Sequence, residues 1–225
     1  MQRHAINERH ELSATLRRAG AHAPTLCGDW TTAELAAHLV LRERSLVELA
    51  GRLPVAPLRA KAERAIAQFV DREPYEQLVA SFAAGPPALS PWSLPPVCEA
   101  VNLLEYVIHH EDVRRAGDAV AARALPVARQ QAVWRRLRLA APLTMRKVPI
   151  GVRLVWPGHG EFTTRLRSDA RVTVSGGPVE LALLAFGRQR VAQLVYDGSA
   201  EDVARVSGAR IALRVPGVEE QRNSG

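Results

Sequence analysis

The segment NLLEYVIHHED, which runs from Asn102 to Asp112, carries the side chains best suited to chemistry. Four of its polar residues recur at intervals of three, four and three, so on a helix they lie in one stripe: Asn102, Glu105, His109 and Asp112. A stripe with that spacing in a helical bundle is ordinarily Leu or Ile. Burying an unpaired carboxylate costs several kcal/mol, so these groups need partners, and a metal ion is one candidate partner.

Glu105 and His109 lie one helical turn apart and can present an oxygen and an imidazole nitrogen to one cation. His38 is the candidate third ligand, because it lies between Leu35 and Leu39 on the apolar side of another predicted helix. Catalytic zinc sites use two nitrogens and one carboxylate oxygen and leave a position for water or substrate. Nickel, iron and manganese accept the same set. The alternatives remain a hydrogen-bonded core histidine and a solvated Glu105–His109 pair.

Two further residues are candidates for a catalytic role beside this set. Asp112 can hold His109 in one tautomer through its far nitrogen, as carboxylates often do behind metal-ligating histidines. It can equally form an ion pair with Arg114 or Arg115. Arg42, one turn beyond His38, can bind an anionic substrate through its guanidinium, or pair with a neighbouring Glu.

The remaining chemical candidates carry weaker patterns. Cys27 and Cys98 are the two cysteines and can act as nucleophiles or ligands, but neither belongs to a C-x-x-C pair, which favours core or loop positions. His110 projects about 100° around the helix from His109 and is expected at the surface or in a helix contact. Val101, Leu104 and Ile108 are expected to mark the buried side of this helix.

The elements that must position these residues are helical in the first half of the chain. Thr31 and Glu34 form a capping-box pattern, so a helix is expected from there to about Ala50. The prolines of GPPALSPWSLPP, residues 85–96, exclude regular structure, and GRLPVAPL, residues 51–58, is expected to be a loop. The other predicted helices cover residues 4–19, 59–71, 74–84 and 97–116.

The second half has a mixed pattern. IGVRLVW, PGHG and EFTTRL together predict a hairpin, because alternating apolar residues flank a glycine-containing turn. Further strands are expected at 171–175, 192–198 and 209–215, with helices at 126–145, within 176–188 and at 199–206. We therefore predict an α+β protein with two domains: a helical bundle at 1–120 and an α+β domain at 121–225.

Composition excludes several classes of protein. The 225 residues are 47% apolar and 24% charged, as in ordinary globular proteins. No apolar run is long enough for a membrane-spanning helix, and the polar N-terminus does not resemble a signal peptide. Two cysteines are too few for a disulfide scaffold. These features predict a cytoplasmic protein with no membrane association, and the candidate metal ligands predict a small-molecule substrate.

The net charge of +7 is unevenly distributed. Residues 1–124 carry 14 Lys and Arg against 15 Asp and Glu, a net charge of −1, whereas residues 125–225 carry 16 against 8, a net charge of +8. A basic half can bind nucleic acid, but no recognised nucleic-acid motif accompanies it, so that partner is disfavoured. A solvated, Arg-rich surface is the alternative explanation.

Two stretches, CGDWTTAELAAHLVLRERSL and NLLEYVIHHEDVRRA, closely resemble the DinB-like metal-binding helical bundle of the mycothiol-dependent maleylpyruvate isomerase family. The resemblance is greatest to an actinobacterial branch of that family. VTVSGGPVELALLAFGRQ resembles the second domain of the same branch, which is related to sterol-carrier-type α+β domains. The resemblance thus spans nearly the whole chain.

The resemblance implies a four-helix bundle that binds zinc through a His on its second helix and a Glu and a His on its last, positions that correspond to His38, Glu105 and His109. It also implies that the metal holds a low-molecular-weight thiol such as mycothiol as a thiolate, which attacks a small electrophile in S-transfer or isomerisation. The alternative is a non-catalytic protein that binds a metal or a small ligand.

Overall fold

A computed structural model describes residues 3–45, 55–88, 90–117, 121–165, 169–209 and 211 of the chain. Within these ranges the chain forms eight α-helices, one short 3-10 helix and a four-stranded sheet, which is an α+β architecture with a helical N-terminal region. The described residues divide into two compact units, one within residues 3–117 and the other within residues 121–211. We call them the helical unit and the α+β unit.

The helical unit contains five α-helices: α1 (His4–Ala19), α2 (Thr32–Arg44), α3 (Ala56–Arg72), α4 (Tyr75–Ala84) and α5 (Pro95–Arg114). The 3-10 helix, Pro91–Ser93, precedes α5. α1 packs against α4 and α5, and α2 packs against α3 and α4.

Local signals set most of these boundaries. The capping box at the start of α2 is confirmed: the Thr31 side chain accepts a hydrogen bond from Ala33 N, and Glu34 accepts one from Thr31 N at 2.9 Å. α2 ends at Arg44, earlier than predicted, and residues 46–50 of the prediction lie outside the described residues. α1 ends at Ala19, and the next residue, Gly20, has a φ of 79°, which suits glycine.

Prolines mark where sequence-based boundaries were wrong. The prediction of a loop at 51–58 was wrong from Ala56 onward, because α3 begins there with Pro57 in its first turn. Residues 51–54 lie outside the described residues. α5 likewise begins at Pro95 rather than Val97. The first turn of a helix tolerates proline because its amides have no intrahelical acceptor.

The α+β unit contains helix α6 (Val127–Thr144), strands β1 (Gly151–Trp156), β2 (Gly160–Thr163) and β3 (Ala170–Ser175), helix α7 (Pro178–Ala185), strand β4 (Val195–Gly198) and helix α8 (Ala200–Ser207). The strand order is β2-β1-β3-β4. β1 and β2 form the predicted antiparallel hairpin, β1 pairs with β3 in parallel, and β3 pairs with β4 antiparallel.

The sheet and α7 both contribute apolar residues to a buried core. Val152, Leu154, Val172 and Val174 are at most 1% exposed, and every residue of α7 is buried. α6 packs against α7. The strand predicted at 209–215 falls mainly outside the described residues, and Ala209 and Ile211 are not in a strand. Among the described helices, none combines the length and apolar character needed to cross a bilayer.

Candidate metal centre

The helical unit brings together the three residues predicted to bind metal. His38 lies on α2, whereas Glu105 and His109 lie on α5. The ligand atoms of all three residues lie within 4.8 Å of one another. His109 Nε2 is 3.6 Å from Glu105 Oε2. The imidazoles of His38 and His109 meet edge to face, with ring centroids 5.4 Å apart.

These side chains differ in their access to solvent. His38 and His109 are each 2% exposed, whereas the Glu105 side chain is 25% exposed. The indole of Trp30 lies against the His38 ring, with centroids 5.2 Å apart. The cluster therefore lies in the core of the helical unit, and Glu105 forms its solvent-facing edge.

Asp112 lies beside the far nitrogen of His109, with Oδ2 3.0 Å from Nδ1. This is the arrangement in which a carboxylate fixes the orientation and tautomer of a metal-ligating imidazole. Arg114 and Arg115, the alternative partners suggested by the sequence, bind Glu111 at 2.8 and 2.5 Å.

The pKa of His109 reflects opposing effects. Burial lowers it, but the electrostatic interaction with Cys27 and hydrogen bonds with Asp112, Cys27 and Glu105 raise it, so that the pKa lies well above the ordinary value. The imidazole therefore holds protons firmly in these surroundings. A cation that binds either nitrogen must displace a proton from it.

Arg42 contacts the edge of the cluster. Its Nη2 lies 3.5 Å from Glu105 Oε1 and donates to the Val101 carbonyl at 3.1 Å, and its Nη1 donates to Asn102 Oδ1. The two oxygens of Glu105 thus face different partners: Oε1 faces Arg42 and Oε2 faces His109.

On the same helix, Val101 is 38% exposed, so its prediction as a marker of the buried side was wrong, whereas Leu104 and Ile108 are buried. Residue 101 interacts with Arg42 through its backbone carbonyl rather than through its side chain.

Sequence reasoning undervalued Cys27. This residue lies in the loop between α1 and α2 and is fully buried, with Sγ 3.0 Å from Asp112 Oδ2 and 3.6 Å from His109 Nδ1. The available signal was its place in CGDW, immediately before the capping box of the helix that carries His38. A search for C-x-x-C spacing cannot detect a ligand set assembled by tertiary structure.

A second feature that the sequence did not reveal is a buried polar network. Arg9 Nη2 lies 2.5 Å from Glu43 Oε1 and 2.6 Å from the Tyr106 hydroxyl, which itself donates to Glu43. Burial and the neighbouring Glu43 charge raise the pKa of Tyr106, so its phenol keeps its proton. Asn102 approaches Glu43 at 3.5 Å and accepts from Arg42. Polar contacts therefore run continuously from α1 to the edge of the candidate metal-ligand group.

His110 makes a helix contact, one of the two outcomes expected from its position. Its Nδ1 lies 2.8 Å from Glu8 Oε1 and its Nε2 lies 2.9 Å from Thr15 Oγ1, both on α1. Glu8, Glu11 and His110 form a further group of possible metal ligands, but Glu11 is exposed. Hydrogen bonding between α1 and α5 accounts for this group.

No family model, no curated protein and no solved structure matches this chain significantly.

Proposed function

We propose that the helical unit binds one divalent metal ion through His38, Glu105 and His109 and uses it to activate a low-molecular-weight thiol, such as mycothiol, for S-transfer to, or isomerisation of, a small electrophile. One observation carries the proposal: three metal-ligating side chains from two helices converge in a largely buried region, with all ligand atoms within 4.8 Å. The resemblance of the CGDW and NLLEYVIHHED segments to thiol-dependent isomerases supports the thiol.

The donor set fits a zinc-type ion. Bonds of about 2.0 to 2.1 Å in a tetrahedral arrangement separate the ligand atoms by roughly 3.3 Å. His109 Nε2 and Glu105 Oε2, at 3.6 Å, are close to that separation. The other distances, which reach at most 4.8 Å, can shorten by side-chain rotation. Zinc is the first choice for two nitrogens and one oxygen, and nickel is compatible with them.

His38, Glu105 and His109 would hold the cation, which would lower the pKa of a bound thiol and keep its sulfur nucleophilic at neutral pH. The protein's own residues supply orientation and access. Asp112 holds His109 by its Nδ1 and leaves Nε2 to face the cluster. Glu105 is the most exposed of the three ligands, so thiol and electrophile would approach along its side.

Arg42 has two roles in this proposal. By contacting Oε1 of Glu105, it orients the carboxylate so that Oε2 faces His109. Its fixed positive charge, held by the Val101 carbonyl and Asn102, would attract an anionic group on the substrate. Asp112 thus acts on His109, and Arg42 acts on Glu105.

The first test is the metal content of the purified protein beside His109→Ala and a control, His159→Ala. His159 is an exposed turn residue of the α+β unit that stacks on Trp156. We expect at least one tightly bound metal per chain in the wild type and in His159→Ala, and none in His109→Ala. A wild-type protein that holds no metal and takes up neither added zinc nor nickel would refute the proposal.

The second test measures consumption of free thiol by the zinc-loaded protein with a panel of small electrophiles. We expect turnover by the wild type and by His159→Ala, and none above background by His109→Ala. Metal retention without turnover of any thiol and electrophile would instead favour the non-catalytic, ligand-binding alternative.

A further inference from the structure

The two nitrogens of His109 face different groups of side chains. Nε2 faces Glu105, whereas Nδ1 faces Cys27 and Asp112. We propose that Cys27, Asp112 and Nδ1 of His109 form a second divalent-cation site, which takes a soft cation of the zinc class through a thiolate. It shares His109 with the metal centre proposed above but requires neither His38 nor Glu105.

The geometry of the second set is closer to a metal site than that of the first. Cys27 Sγ is 3.0 Å from Asp112 Oδ2 and 3.6 Å from His109 Nδ1, and Nδ1 is 3.0 Å from Oδ2. A tetrahedral zinc ion, with bonds of about 2.3 Å to sulfur and about 2.0 Å to nitrogen and oxygen, separates its ligands by roughly 3.3 to 3.6 Å. All three observed distances lie within a few tenths of an ångström of that range.

The charges of the set also suit a divalent cation. A thiolate and a carboxylate together neutralise two positive charges, which matters because Cys27 and Asp112 are 0% exposed and His109 is 2% exposed. The Cys27 thiol donates to Asp112 Oδ2, and His109 Nδ1 lies 3.0 Å from the same oxygen. Binding of the cation releases to solvent the thiol proton and the proton held between Nδ1 and Oδ2, and with both sites filled His109 has lost both ring protons and bridges the two cations as an imidazolate. The thiolate selects zinc-like cations over magnesium and calcium.

The loop that carries Cys27 is anchored so that the sulfur stays against α5. Leu26 N donates to the Asp112 carbonyl at 3.1 Å, and Cys27 N donates to Thr25 Oγ1 at 3.1 Å. The Thr25 hydroxyl in turn donates to the Trp30 carbonyl at 2.7 Å. The ligands are therefore preorganised, which reduces the entropy lost when a cation binds.

Cobalt(II) is the probe for this site, because its bonds to thiolates give a near-ultraviolet sulfur-to-metal charge-transfer band that nitrogen and oxygen ligands do not give. Cys27 and Cys98 are the only cysteines, so a Cys98→Ser protein has Cys27 as its sole thiol. We expect the band in the wild type and in Cys98→Ser, and its loss in Cys27→Ser. Cys98 is itself buried, at 3% exposure, which makes Cys98→Ser a matched control.

Stoichiometry separates the two sites. Cobalt should bind at about two equivalents per chain in the wild type and about one in Cys27→Ser. His38→Ala should also bind about one equivalent, and in that variant the charge-transfer band should persist. His109→Ala should lose both sites.

Failure of this inference is distinguishable from failure of the proposed function. Cobalt binding that is lost in His38→Ala and never produces the sulfur band would overturn the second site and leave the first intact. No cobalt binding by the wild type would overturn both. If Cys27→Ser does not fold, Cys98→Ser decides alone, because presence of the band there supports the site and its absence overturns it. Asp112→Asn, which keeps the shape of the side chain, should weaken the band-forming site at least tenfold.

Discussion

The two units of the molecule bury different kinds of side chain. Among the described residues, the buried polar positions of the helical unit include many ionisable groups: His4, Glu8, Arg9, His38, Arg42, Glu43, His109, His110, Glu111, Asp112 and Arg115. The buried polar positions of the α+β unit, ionisable or not, are fewer: Arg129, Thr144, Thr164, Glu180 and Asp202. The core of the α+β unit is otherwise formed by aliphatic and aromatic residues such as Leu154, Trp134 and Trp156.

The contrast favours the helical unit as the location of the proposed site. Burying an ionisable group is unfavourable unless other groups compensate it, so an apolar core is the simpler way to stabilise a fold. Buried, mutually interacting ionisable groups instead concentrate at functional sites. The helical unit has this character around His109, whereas the sheet of the α+β unit has the character of a structural core. The following predictions test that difference.

The largest stability effect is expected at the buried ion pair between Arg9 and Glu43, whose side chains are 6% and 2% exposed. Arg9→Met leaves the Glu43 carboxylate buried without its cation and should lower the free energy of unfolding by about 3–5 kcal/mol. Arg153→Met, in the pair with Glu161 that is 46% and 54% exposed, should change it by about 0–1 kcal/mol. Urea denaturation measures both, and equal losses would contradict the comparison.

Leu154→Ala should destabilise the α+β unit by about 2–5 kcal/mol, because it opens a cavity where the side chain is 0% exposed. Metal content should remain that of the wild type, since Leu154 belongs to the unit that lacks the site. Hydrogen exchange localises the loss of stability, and metal analysis of the same sample provides the second measurement. Loss of metal from this variant would show that the two units do not function independently.

Zinc should stabilise one unit selectively. At a free zinc concentration about 100 times Kd, binding to the native state should raise the free energy of unfolding of the helical unit by about 2.7 kcal/mol. Hydrogen exchange should therefore slow in α5, while exchange in β1 should not change, and a chelator should reverse the effect. Uniform protection across both units, or protection in neither, would be inconsistent with a site confined to the helical unit.

The smallest effect is expected from removing a helix cap. Thr31→Ala should cost about 1 kcal/mol of stability, because α2 loses the side-chain acceptor of its capping box. α2 carries His38, so a few-fold loss of zinc affinity should accompany it. Ser199→Ala removes the corresponding acceptor for Asp202 N at the start of α8 and should have a similar stability cost with no change in zinc affinity. Equal zinc affinities in the two variants would show that the start of α2 does not position His38.

Local sequence patterns determined much of the fold. The capping box at Thr31 fixed the start of α2, and the turn PGHG fixed the β1–β2 hairpin, because both signals act between residues close in sequence. The sequence also predicted the stripe containing Glu105 and His109, because a helix places residues four apart on one face. Proline positions were less informative, because the first turn of a helix accepts proline.

Tertiary structure alone decided which distant residues meet. Cys27 is 82 residues from His109 in sequence, and Arg9 is 97 residues from Tyr106, yet each pair is in contact. The local sequence pattern likewise does not predict that β1 pairs with β3 in parallel. Side-chain periodicity tells which face of an element is buried but not which element covers it. The packing of α1, α2 and their connecting loop against α5 therefore determined the membership of the site.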